Sequence, residues 1–219
     1  MKRTTLFTLL VTLPALAGAA SMSPSERVAK AIDAMGGPAL QQLRTLSVKA
    51  KTKHWEPNQS FQPGGEMRFA ADSTFTDRRD LASGAARIDW VKDLKYPSVR
   101  TYRYSEIVSG GVGYVSGIDS GGRTQQSLGS NPPEHTMSGA RLAATARELQ
   151  RTSPALLLEM ASNPKRLQAV PDQAVGSRKL PAVRYKAAAA TFLVTFDPSS
   201  GLPERVRTRD YDALYGDTN

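Results

Sequence analysis

From Leu46 to about residue 119 apolar and polar residues alternate with a period of two, broken at short intervals by glycine-containing turns. Leu46, Val48, Ala50 and Thr52 interleave with Ser47, Lys49, Lys51 and Lys53, the pattern of an antiparallel strand with one wet face. Strand-like runs follow at 66–71, 73–81, 85–92, 99–108 and 112–119. Turn signals stand at Pro63-Gly64-Gly65, Ser83-Gly84 and Ser109-Gly110-Gly111. No helical stripe lies between these runs, so they form an up-and-down meander and not βαβ units. Ile88 and Trp90 share one face of their strand, as do Tyr102 and Tyr104 of theirs.

Helical patterns flank this half of the chain. Ser23-Pro24-Ser25-Glu26 is a capping box with proline at the first helical position; Val28, Ile32 and Met35 make one apolar stripe, and Gly36-Gly37 ends it. Residues 120–136, rich in Gly, Ser, Asn and Pro, read as a loop. A helix over 138–150 presents Leu142, Ala146 and Leu149. Ser153-Pro154 starts a second helix, which runs through Leu156, Leu157, Leu158 and Met160 to Asn163-Pro164. Three consecutive leucines are apolar on more than one face, so this helix is either a plain core helix or one that caps a hydrophobic cavity. Strands resume at 182–186 and 191–197, with Phe192, Val194 and Phe196 on one face. The turn Asp197-Pro198-Ser199-Ser200-Gly201 then leads into a strand over 203–211. The expected fold class is α+β: an antiparallel sheet with an N-terminal helix and a two-helix insertion packed on it.

Residues 1–20, MKRTTLFTLLVTLPALAGAA, have the form of a signal peptide: Lys2 and Arg3, an apolar stretch from Leu6 to Leu16, and small residues at 17–20. The apolar run is shorter than the ~20 residues a membrane span needs and contains Pro14. Cleavage near residues 19–20 leaves one domain, 21–219, in the periplasm or medium. The chain carries 29 Lys and Arg against 20 Asp and Glu, but export and the spread of basic residues along strands argue against nucleic acid. Lys49, Lys51 and Lys53, and Arg205, Arg207 and Arg209, read as solvated strand faces; anionic lipid remains a possible partner for the same charges.

Little in the sequence supports catalysis. There is no cysteine, and the two histidines, His54 and His135, leave little room for an all-histidine metal site. No G-x-S-x-G elbow, Walker loop, H-E-x-x-H or H-x-H-x-D-H occurs. Ser162-Asn163-Pro164-Lys165 matches S-x-x-K in form only, with no K-T-G after it. Each histidine suits a general base, yet spacing ties no nucleophile or orienting carboxylate to it. Asp210, Asp212 and Asp217 are oxygen ligands without EF-hand spacing, and Arg207 and Arg209 stand by to neutralise them. Asp80 and Asp89 flank a hairpin within reach of Arg78, Arg79 or Arg87.

The order of elements, with the hairpin Phe196-Asp197-Pro198-Ser199-Ser200-Gly201-Leu202-Pro203, resembles the LolA/LolB superfamily. That resemblance implies a curved antiparallel sheet forming a half-open barrel, closed by helices over an apolar cavity that carries lipid. Longer stretches resemble the N-terminal region of secreted metallo-β-lactamase-fold hydrolases: HWEPNQSFQPGGEMRFA, ARIDWVKDLKYPSVRTYRYSEIV, MSGARLAATARELQRTSPALLLEMASNP and GLPERVRTRDYDALYGD. On this likeness the domain is incomplete at residue 219 and a di-zinc catalytic domain lies downstream. None of that family's zinc ligands has a counterpart in residues 1–219, so no cofactor is assigned to the chain itself.

The expected function is therefore non-catalytic. The domain binds a hydrophobic small molecule or acyl chain, either as accessory region of such a hydrolase or as a free-standing carrier of lipid or lipoprotein acyl chains. Candidate ligand contacts are Trp90, Tyr102 and Tyr104 on the sheet, Leu156, Leu157 and Met160 on a lid helix over 153–162, and Phe192 and Phe196 on the later strands. Aromatics at this spacing more often build an ordinary core than line a ligand site.

Overall fold

The computed structural model describes residues 22–56, 61–119, 132–212 and 216–218, with backbone alone for 210–212 and 216–218. The predicted leader, most of the predicted 120–136 loop and the side chains of Asp210, Asp212 and Asp217 lie outside the described residues.

The first helix, α1 (Pro24–Ala34), begins as its capping box dictates. The Ser23 amide donates to Glu26 (2.7 Å), and the Glu26 amide donates to the Ser23 hydroxyl (3.3 Å). Val28, Ala31 and Ile32 are buried, and Gly36, at φ 109°, turns the chain out of the helix into the short α2 (Pro38–Gln42).

Six strands then form an antiparallel meander in sequence order: β1 (Thr45–Glu56), β2 (Arg68–Asp80), β3 (Ala85–Leu94), β4 (Arg100–Ser109), β5 (Val112–Ile118) and β6 (Glu134–Thr136). The runs predicted at 66–71 and 73–81 are a single strand, because Asp72 stays in the ladder between Lys53 and Asp93. Residues 134–136, predicted as loop, pair with β5.

Helices α3 (Gly139–Arg151) and α4 (Ala155–Ser162) follow. The second starts one residue later than predicted, with Pro154 and not Ser153 at the N-cap; Ser153 accepts the Ala155 amide through its hydroxyl (3.2 Å) from outside the helix. A one-turn 3₁₀ segment (Pro164–Arg166) leads to a second antiparallel sheet of β7 (Leu167–Val175), β8 (Arg178–Lys186), β9 (Thr191–Phe196) and β10 (Pro203–Thr208). The sequence pattern missed β7, whose ladder is interrupted beside Pro171 between Val170 and Gln173. The final strand predicted over 203–211 stops at Thr208; β11 (Asp210–Asp212) pairs instead with β12 (Gly216–Thr218). The α+β class thus stands, with the strands in two main antiparallel sheets and not in the one sheet expected.

The main core lies between the four-stranded sheet and helices α1 and α4, built on Val28, Met160, Tyr185, Phe192, Val194 and Phe196. Leu156 and Leu157 are buried in it and Leu158 packs at its margin, so the leucine run is covered on more than one side. Val108, Val115 and Met137 make a smaller core against Leu142 and Leu149 of α3.

The β9–β10 turn closes as its sequence requires. Asp197 Oδ1 accepts the amides of Ser199 (3.0 Å) and Ser200 (2.9 Å) and both serine hydroxyls, and Arg178 donates to Oδ2 (3.1 Å). The Ser199 hydroxyl first, then the Ser200 amide, hold this carboxyl well below the usual range. A carboxyl depressed on folding stabilises above its unfolded pKa and loses that contribution as pH falls through the folded one. Asp197→Ala is therefore less stable than the parent at neutral pH, and the gap narrows as pH drops below about 4. Urea titrations across pH check this; a gap that persists in acid contradicts it.

Candidate functional site

A cleft of about 470 Å³ opens between the two sheets. Leu46 and Val48 of the edge strand β1 form one wall, and Pro203 and Val206 of the edge strand β10 another. The start of α4 supplies Leu156 and Leu157, β9 supplies Val194, and Met35 and Leu202 complete an apolar lining. The volume lies within the roughly 300–1,000 Å³ usual for small-molecule sites. The wet strand predicted from Leu46 to Lys53 explains this: its lysines are exposed, but Leu46 and Val48 meet the cleft and are not sealed in a core. Val48 and Leu202 accordingly remain exposed large apolar groups.

Polar groups hold the helical wall in place. Arg79 lies opposite Leu46 in the ladder, and Asp77 opposite Val48. Arg79 donates Nε and Nη2 to Asp77 Oδ2 (2.9 and 2.5 Å), Nη1 to the Leu149 carbonyl (2.6 Å) and Nη2 to the Thr152 hydroxyl (2.8 Å). Asp77 is buried and the Arg79 side chain nearly so, and Asp77 Oδ1 makes no hydrogen bond among the described residues. Thr152 itself lines the cleft, so this clasp sets the position of the α3–α4 joint. At the rim Arg151 pairs with Glu148 and donates Nη1 to the Val206 carbonyl (3.3 Å).

The eight predicted contact residues divide into two groups. Leu156 and Leu157 line the cleft, while Met160, Phe192 and Phe196 lie in the core that supports it. Trp90 and Tyr104 belong to the six-stranded sheet, in a cross-strand row where Phe75 and Trp90 stand 4.8 Å apart and Trp90 and Tyr104 6.3 Å apart. Tyr102 is buried with Ala71 and Leu94. None of these three lines the cleft.

Their row meets a network that the sequence reading did not single out. Trp90 Nε1 donates to Glu106 Oε2 (3.0 Å), and Arg141 of α3 donates to Glu106 Oε1 (2.7 Å) and Asp119 (2.5 Å). Burial opposes the charge on Arg141, but its bonds to Glu106 and Asp119 outweigh this and raise its pKa. Burial first, then Glu106, hold the Tyr104 hydroxyl well above the ordinary tyrosine value. On the other side of the molecule burial, and then donation to Glu159 (2.8 Å), push Tyr185 up to about 12. Arg141 thus stays charged and Tyr104 and Tyr185 stay neutral at neutral pH, and the bonds of Arg141 and Tyr185 brace helices against sheets.

The candidate catalytic groups are engaged elsewhere. His54 Nε2 lies 2.9 Å from Glu56, a carboxylate that spacing had not tied to it, and His135 Nδ1 lies 2.6 Å from the Pro132 carbonyl. Ser162 donates to the Leu158 carbonyl of its own helix (2.9 Å). Asp89 is paired with Arg78 and Arg87, as expected; Asp80 instead caps its turn through the Ala82 and Ser83 amides. Arg207 donates to Gln173. Among the described residues no cluster of three or more His, Asp or Glu side chains is arranged to hold a metal ion.

Comparison of the chain with protein-family models, curated proteins and solved structures gave no match. Among the described residues no helix is long and apolar enough to cross a membrane.

Removing one member of the buried clasp strands the other's charge. Asp77→Ala should cost about 3–5 kcal/mol, whereas Asp77→Ala combined with Arg79→Met should recover most of that loss. Urea denaturation of the parent, both single variants and the double variant measures it; additive losses would contradict the pairing.

Proposed function

We propose that this chain is a non-catalytic, exported, LolA-like domain that takes an acyl chain into the cleft between β1 and β10. The apolar cleft itself carries the reading: both sheets and the α4 leucines contribute to it, and its size suits a small lipophilic ligand. Each methylene withdrawn from water contributes about 0.8 kcal/mol, so a single alkyl chain binds without any catalytic machinery. The α3–α4 joint forms the helical wall, held by Arg79. The aromatic row around Trp90 belongs to the frame in this reading.

The second part of the proposal, that the domain is the accessory region of a metallo-β-lactamase-fold hydrolase, rests on the likeness of the four sequence stretches given above. A free-standing periplasmic carrier is the alternative. The intact mass of the native exported product separates them: accessory status requires a mass well above that of 219 residues.

Binding is tested with a lipophilic fluorescent dye and a saturated fatty acid as competitor. The parent should bind the dye saturably and release it to the fatty acid. Val48→Trp, which fills the cleft from an exposed wall position, should weaken binding about tenfold or more while leaving the melting temperature unchanged. Unsaturable dye uptake, or equal affinity in the variant, would contradict the assignment.

A further inference from the structure

Far from the cleft along β1, one end of the six-stranded sheet carries an apolar crest. There β1 ends and β2 begins, and the β3–β4 turn lies beside them because the Lys95 and Tyr96 amides donate to the Ala70 carbonyl (2.7 and 3.2 Å). Four large apolar side chains stand exposed on this end: Trp55, Phe61, Met67 and Val99. Phe61 is 88% and Val99 84% exposed, more than any other large apolar side chain among the described residues. Single exposed apolar residues are ordinary, but a cluster of this kind marks an interaction surface.

The crest has a defined shape. The Arg68 guanidinium lies 4.4 Å from the Phe61 ring centroid and 3.7 Å from that of Tyr96, which joins the two loops by cation–π contacts. Trp55 packs on Phe69 at 4.9 Å, and Ala71, Leu94 and Tyr102 form a small core beneath. The exposed charges around it are mostly basic: Lys51, Lys53, Lys95 and Arg100 against Glu66. The other carboxylates are half-buried, with Glu56 beside His54, Asp93 accepting from Thr101, and Asp72 opposite Lys53.

We propose that this crest docks on an anionic lipid bilayer, with Phe61 and Val99 entering the headgroup layer and Lys53 and Lys95 facing lipid phosphates. Aromatic rings settle at the bilayer interface, and basic groups beside them add electrostatic attraction; the two signals together give stable yet reversible attachment. Phe61, Met67 and Val99 stand on connections between strands, exposed and not in a groove, which suits a fluid interface better than a rigid protein surface. This docking is independent of acyl-chain binding in the cleft.

Co-flotation of the purified protein with vesicles tests it, comparing equal parts phosphatidylcholine and phosphatidylglycerol with phosphatidylcholine alone. The parent should float with the anionic vesicles, about tenfold or more better than with neutral ones, and less so in high salt. Phe61→Ser with Val99→Ser should lower that partition about tenfold or more. Val112→Ser, an exposed apolar position at the opposite end of the sheet, should leave it unchanged. Near-unchanged circular dichroism of all variants secures the comparison. Failure of the parent to float with anionic vesicles, or equal partition of the double variant, would overturn the proposal. So would binding to native envelope membranes alone that protease treatment of those membranes abolishes, since that identifies a protein partner.

Discussion

Arg79 reaches out of the six-stranded sheet to the Leu149 carbonyl and the Thr152 hydroxyl, while Asp77 beside it supplies the compensating charge. The attachment of the α3–α4 joint to the sheet depends on this contact. A guanidinium is suited to it, because its planar donors serve a carboxylate, a carbonyl and a hydroxyl together. The cost is a largely buried ion pair whose second carboxylate oxygen makes no hydrogen bond among the described residues. Such pairs contribute little net stability but fix geometry, and here the geometry fixed is the helical wall of the cleft.

The cleft follows from how the two sheets end. Edge strands β1 and β10 each present apolar side chains toward the same space, from Leu46 and Val48 on one side and Pro203 and Val206 on the other. The main core packs between the four-stranded sheet and its helices, and a smaller one lies beneath α3, so the seam between the sheets is walled by apolar side chains that do not meet. The lysines on the opposite face of β1 keep that long edge hydrated and discourage pairing with other chains.

Local chemistry was largely legible in the sequence. The capping box of α1 and the Asp197 turn rest on short-range rules and formed where those rules place them; the meander formed too, with its second and third expected runs joined in one strand and residues 134–136 added at its edge. The β7 strand was hidden because Pro171 and polar residues break its alternation. The division into two sheets was hidden because period-two patterns identify strands and faces but not which strands pair across a long insertion. For the candidate site, Leu156 and Leu157 were readable from the leucine run, whereas Trp90 and Tyr104 were placed with them only because aromatics dominate an apolar face. Asp77, Arg79 and Glu106 carried a signal that could have been used. They alternate in step with Phe75 and Tyr104, so they are charges on an inward face, and such charges require partners from another element.

Acyl-chain binding between β1 and β10 is the central claim, and intermolecular NOE measurements on methyl-labelled protein with a saturated fatty acid test it most directly. The account predicts saturable contacts from the alkyl chain to the methyl groups of Leu46, Val48, Leu157 and Val206, and none to Val108 or Val115 beneath α3. Contacts confined to Val99 at the crest, or shifts that never saturate, would contradict it.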